Sequence, residues 1–362
     1  MSAFPRLRPT FAPRQHFAMC TSPDGRHRCS QAVIWCSKRG AAMTISHRFV
    51  EANGIRMHLA EAGAGPVVLM CHGWPESWYS WRHQLEALAA AGYHAVAPDM
   101  RGYGQTDKPD AVDQYTMLHL AGDMVGVLDA IGAEQAVIVG HDWGAPLAWR
   151  SALFRPDRFK AVVGLSVPFQ PIVANQPRPT TVMLTNEKQR FYQLYFQTPG
   201  VAEAELEKDV QTSIKTTLFA LSGDAPVEDP ASLAMLSIDG GWLDGKPQSQ
   251  PAWLTDEDVQ FYVAEFKRSG FKGGLNWYRV VDRNWELLRP WAGAKIQVPA
   301  LYVVGDRDGV YKFPGMDRLI PNLKHFVPKL RETIVLKGCG HWTQQERAKE
   351  VNDAILQFLR GL

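Results

Sequence analysis

The chain has 362 residues, 46% of them hydrophobic, and a formal net charge of +2 at pH 7. That supplies a large core, or a core with a second lobe, and the charge is too balanced to argue for nucleic acid or an acidic surface as partner. No apolar run approaches the roughly 18 residues that a bilayer-spanning helix needs. The five cysteines suggest no disulfide framework, so a reducing, cytoplasmic setting is expected.

Met1 to about Ala42 differs from the rest. Arg6, Arg8, Arg14, Arg26, Arg28, Lys38 and Arg39 stand against one acid, Asp24, with little hydrophobic pattern. The stretch reads as disordered or as upstream read-through before a native start at Met43, and residues 1–45 are treated as a leader. From His47 to Ala52 and from Ile55 to Ala62 two strands flank an Asn53-Gly54 turn, the pattern of a hairpin. Pro66 to Cys71 reads as a buried strand running into His72-Gly73-Trp74-Pro75, and Ser77 to Ala91 as a helix. A strand over Tyr93 to Pro98, a helix over Met117 to Ile131, a strand over Gln135 to Val139, a helix over Ala145 to Phe154 and a strand over Ala161 to Val167 follow. This alternation, over residues 46–167, predicts a mainly parallel sheet covered on both faces. It then stops. Residues 168–292 are rich in proline, aromatics and irregular helix signals, with a loop at Gly240-Gly241-Trp242-Leu243-Asp244-Gly245-Lys246-Pro247, and read as an inserted helical cap. Residues 293–362 resume the pattern with strands at Ala300 to Val304 and Thr333 to Leu336 and a helix from Glu346 to Leu359. Cys71 and Cys339 are expected in core strands.

Between the strand ending at Val139 and the helix starting at Ala145 lies Gly140-His141-Asp142-Trp143-Gly144. Two glycines around one acid let the turn close sharply and lift the Asp142 side chain off the strand end, as G-x-S-x-G does for a serine nucleophile. The change of residue carries chemical meaning. Serine attacking a saturated carbon leaves an ether, which resists water, whereas a carboxylate leaves a hydrolysable ester. A carboxylate is also ionised at neutral pH and needs no base for its attack. Asp142 therefore points to an electrophilic sp³ carbon, in an epoxide or an alkyl halide.

The rest of the set is present in order. His341, in Gly340-His341-Trp342 beyond the last strand, is the expected general base. Asp308 is the expected acid that orients it, with Asp306 as rival, since Val167-Pro168 places no carboxylate after the strand before the insertion. The order nucleophile, acid, histidine is that of the α/β-hydrolases. His141, adjacent to Asp142, should point away from the elbow. The backbone N–H groups of Trp74 and Trp143 are placed as an oxyanion hole, with a cis bond expected at Trp74-Pro75. His72, Pro75 and Trp342 are expected to touch substrate. There is no C-x-x-C, H-E-x-x-H or Walker A pattern, and Gly102-Tyr103-Gly104 lacks the third glycine of a dinucleotide fingerprint. Neither metal nor cofactor is expected.

Opening an epoxide creates an alkoxide, and a phenol near pKa 10 can donate to it at pH 7. The insertion holds four tyrosines, Tyr192, Tyr195, Tyr262 and Tyr278, and the residues alone do not choose among them.

HGWPESWYSWR from His72, GHDWG from Gly140, YQLYFQTPGVAEAELE from Tyr192, GFKGGLNWYR from Gly270 and CGHWTQ from Cys339 resemble the soluble epoxide hydrolases, from about Ser46 to the C-terminus. The resemblance implies an α/β-hydrolase fold: a mostly parallel eight-stranded sheet with helices on both faces and an inserted helical cap. It assigns Asp142 as nucleophile, His341 as base, Asp308 as orienting acid, and Tyr192 and Tyr278 as donors to the epoxide oxygen, leaving Tyr195 and Tyr262 to packing. It also implies a small-molecule epoxide and water as reactants, no cofactor, and a monomer or homodimer. The many aromatics suggest a hydrophobic tunnel and a bulky aryl or alkyl epoxide. A dehalogenase with the same aspartate, and a hydrolase-fold receptor that binds without turnover, are the alternatives.

Overall fold

The structure, a computed structural model, describes Ala32–Val33 and residues 44–362; apart from these positions, the expected leader 1–45 lies outside the described residues. The first long hairpin pairs β1, Ile45–Ala52, with β2, Ile55–Ala62, antiparallel. Its two turn residues, Asn53 and Gly54, both take positive φ, 50° and 78°, which matches the twist of a two-residue hairpin. The other strands are β3, Val67–Cys71; β4, His94–Pro98; β5, Ala136–His141; β6, Phe159–Leu165; β7, Ala300–Gly305; and β8, Leu330–Leu336. Their order across the sheet is β1-β2-β4-β3-β5-β6-β7-β8, and Ala32–Val33 adds a two-residue antiparallel edge beside β1. Every pairing from β4 onward is parallel. This is the expected eight-stranded sheet.

β3, β5 and β7 are buried along their whole length, which explains their unbroken apolar runs: a parallel strand covered on both faces has no polar side to alternate with. The covering helices include α1, Arg82–Ala90; α2, Met117–Ile131; and α3, Gly144–Phe154. Thr116 caps α2 by accepting from the His119 N–H, and Gly132 ends it with φ 72°.

Between β6 and β7 no strand joins the main sheet. This insertion carries α4, Tyr192–Tyr195; α5, Val210–Ala220; α6, Asp256–Ser269; and α7, Lys272–Arg279. A capping box of Thr255 and Asp258 starts α6, acids fill its first turn, and Lys267 and Arg268 fill its last, in line with the helix dipole. The insertion meets the rest of the chain beside the end of β5: the Trp277 indole donates to the Arg101 carbonyl at 3.0 Å, and the Tyr278 ring meets that of Trp143 at 5.1 Å. The last helix, α8, spans Ala348–Arg360.

Four local expectations change. The helix expected over Ser77 to Ala91 is a 3-10 turn, Trp78–Trp81, followed by α1. A two-stranded sheet, Gln189–Phe191 with Met235–Ser237, appears in the insertion; three residues are too few to show a period. Cys71 does close β3, but Cys339 lies in the loop after β8, buried among backbone rather than in a strand. Finally, Glu346 does not open α8. It closes a separate turn, Thr343–Glu346, where its carboxylate accepts from the N–H groups of Gly223, Gly340 and Trp342 at 2.8, 2.8 and 3.0 Å. That ties down the loop carrying His341.

Candidate active site

β5 delivers Asp142 into the left-handed region, φ 50°, where residues with a side chain rarely sit. The flanking glycines are required by contact: a Cβ on Gly140 would overlap the Gly144 carbonyl, and one on Gly144 the Cys71 carbonyl. The Asp142 carboxylate is held at both oxygens. Oδ1 accepts from the Trp74 N–H at 2.8 Å, and Oδ2 lies 3.2 Å from His341 Nε2. On the far side of the ring, Nδ1 lies 3.1 Å from Asp308 Oδ1 and 3.0 Å from Ser166 Oγ. The Val310 N–H donates to the same Asp308 oxygen at 2.9 Å. Asp306 is turned away, accepting from the Gly338 N–H at 2.7 Å.

Charge follows from this packing. Burial works against the His341 imidazolium, but the Asp308 charge and hydrogen bonds to Asp142 and Asp308 outweigh it and hold its pKa well above the ordinary value. Burial likewise opposes the Asp308 carboxylate, and His341 overcomes it and lowers that pKa. At rest a protonated imidazole sits between two carboxylates.

Tyr192 and Tyr278 face this group from the insertion, their rings 5.8 Å apart. Burial first, then Asp142, raises the Tyr192 pKa; burial, Tyr192 and Asp142 raise that of Tyr278. Both phenols keep their protons. Gln193 Nε2 lies 3.2 Å from the Tyr192 oxygen. The other two tyrosines are engaged elsewhere: Tyr195 donates to Glu205 at 2.7 Å, and Tyr262 bonds with Ser80 and Gln345 at 2.7 and 3.0 Å.

A cavity of about 50 Å³ adjoins Asp142, bounded by Trp74, Tyr192, Trp242, Tyr278 and His341, with Leu221, Leu233, Val310 and Phe313 closing one side. The three residues expected to touch substrate are not in its wall. His72 is buried, with Nδ1–H donating to the Gly73 carbonyl at 2.9 Å and Nε2 accepting from the Met100 N–H at 3.0 Å, so it braces the loop. Pro75 is buried behind its cis bond with Trp74. Trp342 donates to the Leu218 carbonyl at 2.8 Å and packs its ring against His341. Of the two expected oxyanion donors, Trp74 is in place; among the described residues Trp143 N–H makes no hydrogen bond to Asp142.

Two further residues support the site without having stood out in the sequence. Ser166, φ 68°, directly follows β6, just before the Val167-Pro168 pair that offers no orienting acid. Glu76 accepts from the Gly73 N–H at 2.8 Å, from Gln344 at 2.8 Å, and pairs with His141 Nδ1 at 2.7 Å. His141 Nε2 then meets the His341 carbonyl at 2.7 Å. Burial alone would raise the Glu76 pKa; the His141 charge and hydrogen bond pull it down to about 2. His141 thus points away from the elbow and links the Trp74 loop to the His341 loop.

A strand-end carboxylate on a glycine-bracketed turn, with a histidine and acid arriving from later strands of a β1-β2-β4-β3-β5-β6-β7-β8 sheet, defines an α/β-hydrolase, and residues 66–348 match the family described as alpha/beta hydrolase fold. The chain is 47% identical to epoxide hydrolase 3 of Siraitia grosvenorii, over 87% of this chain and 98% of that protein. It is 44% identical to epoxide hydrolase A of Mycobacterium tuberculosis, over 88% and 98%. A solved epoxide hydrolase from an endophytic Streptomyces superposes with a TM-score of 0.84 at 47% identity, covering 87% of this chain and 95% of that one. The chain belongs to the epoxide hydrolase family.

Proposed function

We propose that this enzyme converts epoxides and water to vicinal diols through an ester on Asp142, with residues 168–292 acting as the cap. The observation that carries the reading is the opposition, across one buried cavity, of a carboxylate held at both oxygens and two protonated phenols. Asp142 Oδ2 attacks an epoxide carbon, the ring C–O bond breaks, and its electron pair goes to the ring oxygen, which takes a proton from Tyr192 or Tyr278.

Ester formation removes the Asp142 charge, one of the two anions that hold the His341 proton. His341 then passes that proton to the phenolate and becomes a base. Neutral His341 takes a proton from water as the water oxygen adds to the ester carbonyl. The resulting oxyanion forms at Oδ1, where the Trp74 N–H already points. Collapse expels the second oxygen of the diol as an alkoxide, which takes the carboxyl proton and leaves Asp142 ionised and His341 protonated. The proton balance closes on epoxide plus water. No helix among the described residues is long and apolar enough to cross a membrane; our reading places the enzyme in the cytoplasm, as a monomer or homodimer.

His341→Gln should open the epoxide and then stall, and intact-mass measurement should show the protein heavier by one whole substrate. A dehalogenase given an alkyl chloride would add substrate minus HCl. Single-turnover hydrolysis in ¹⁸O-water should label Asp142; label found wholly in the diol would mean direct attack by water, and the ester would have to be given up.

A further inference from the structure

We infer, resting on the reading above, that Trp242 limits the size of epoxide accepted, that Glu205 fixes Trp242 in place, and that the preferred substrates are compact epoxides with one flat substituent. A cavity of about 50 Å³ is small beside the roughly 300–1,000 Å³ of ordinary ligand pockets, so a bulky epoxide needs part of the wall to move. The two sides of the wall differ in their capacity to yield. The side chains of Leu221, Leu233 and Val310 are aliphatic and carry no polar atom to tether them.

Trp242 is held from every direction. Its indole N–H donates to Thr217 Oγ1 at 2.8 Å. Its ring packs against those of Tyr192, Phe196 and Trp74 at 5.4 to 5.5 Å. The Lys246 ammonium, outside the cavity wall, lies 3.9 Å over the ring from behind. The loop that presents the indole, the Gly240-to-Pro247 stretch singled out in the sequence, is anchored on one carboxylate. Glu205 accepts from the N–H groups of Trp242 and Leu243, both at 2.8 Å, and from the Tyr195 hydroxyl at 2.7 Å. Its approach to the backbone is so close that a Cβ on Gly241 would overlap it. Glu205 is a positioning residue acting through Trp242. Bulk on the substrate can therefore grow toward Leu233 and Val310 but not toward Trp242. The aromatic-rich composition suggested a bulky epoxide; the packing of Trp242 against Tyr192, Phe196 and Trp74 argues for a compact one.

The test compares kcat/KM for an epoxide with one phenyl substituent and for one with a phenyl on each carbon. Wild type should prefer the first. Trp242→Leu should shift the ratio toward the second by about tenfold or more, the scale on which apolar pockets discriminate by size, chiefly through KM. Glu205→Gln, which sets an amide NH₂ against backbone N–H groups, should shift it in the same direction by less, and Trp242→Phe covers the case in which the leucine variant fails to fold. Loss of melting temperature with an unchanged ratio in these variants would make both residues merely structural and overturn the inference. Absence of diol from both substrates with wild type would instead overturn the reading of the function, and this inference with it.

Discussion

Asp142, Asp308 and His341 stand beyond the carboxyl ends of β5, β7 and β8, whereas Tyr192 and Tyr278 sit on insertion helices of four and eight residues. The difference extends to their bonding. The core carboxylates and imidazole are fixed by Trp74, Val310, Ser166 and each other. The Tyr192 hydroxyl is met by side chains of the insertion itself, Gln193 at 3.2 Å and Tyr278. On the proposed reading, the nucleophile and base are set by hydrogen bonds before substrate arrives, while the oxygen donors are set mainly by ring packing.

The comparison predicts an ordered set of losses. Asp142→Ala should remove the nucleophile outright: no adduct by intact mass, and turnover lower by about 10⁴-fold or more, as for other residues that act as a unit. A variant retaining a tenth of wild-type turnover would mean the core half is not where the covalent step occurs. Tyr192→Phe and Tyr278→Phe should each slow alkylation by about 10²-fold, the low end for a general acid, with a larger loss in the double variant. Stopped-flow single turnovers read this directly. Full rates in both single variants would break the division between the halves, because the insertion would then contribute only packing.

A third change tests whether the core really is preorganised. Glu76→Gln leaves the shape of the pocket intact but sets an amide NH₂ either against both His141 and the Gly73 N–H, which share one oxygen, or against the Gln344 amide. Leaving such a buried group unpaired costs about 1–3 kcal/mol of stability. Because Glu76 acts through the Trp74 and His341 loops, kcat should fall by roughly tenfold with little change in KM. An unchanged kcat alongside a lower melting temperature would show that the link holds the fold but not the chemistry.

Legibility divided along the same line. The core half could be read because G-x-D-x-G is a contact requirement, visible as two glycines, and because nucleophile, acid and histidine must follow in that order. Asp306 and Asp308 are two residues apart, and only their partners in space separate them: Asp308 meets His341, and Asp306 accepts from the Gly338 N–H. The insertion tyrosines could not be chosen from spacing; the resemblance chose them, and hydrogen bonds to Glu205, Ser80 and Gln345 explain why Tyr195 and Tyr262 are unavailable. Glu76 escaped notice because its partners, His141 and Gln344, lie far along the chain, and no local period marks such a pair. His72, Pro75 and Trp342 illustrate the converse. They neighbour the site in sequence, and the backbone turns their side chains into the protein rather than into the cavity.

The smallest effect concerns acid stability, and here His47 and His83 of the core should differ in sign from Glu265 of the insertion. In the core, burial lowers His47 and His83 to about 4. The unfolded chain binds those protons near pH 6.5, so it holds more protons than the native state between pH 6.5 and 4, and stability must fall as pH drops through that window. Glu76, lowered to about 2 against a backdrop of burial that would raise it, adds a second loss between pH 4.5 and 2, where the unfolded carboxyl is protonated first. In the insertion, Glu265 runs the other way. Burial, then Asp99, raises it to about 6, so the native state takes up its proton before the unfolded chain does, and acidification from pH 6 to 4.5 relieves a cost present at neutrality. Both histidines are partly exposed, so solvent screening keeps their contribution well below the full linkage value. Melting temperature measured from pH 7.5 to 3.5 at constant ionic strength should therefore decline below pH 6.5. His47→Gln with His83→Gln should flatten that decline, and Glu265→Gln should steepen it while raising the melting temperature at pH 7.5. If the double histidine variant keeps the wild-type slope, the protons responsible belong to other groups, and the sign contrast between these histidines and Glu265 fails.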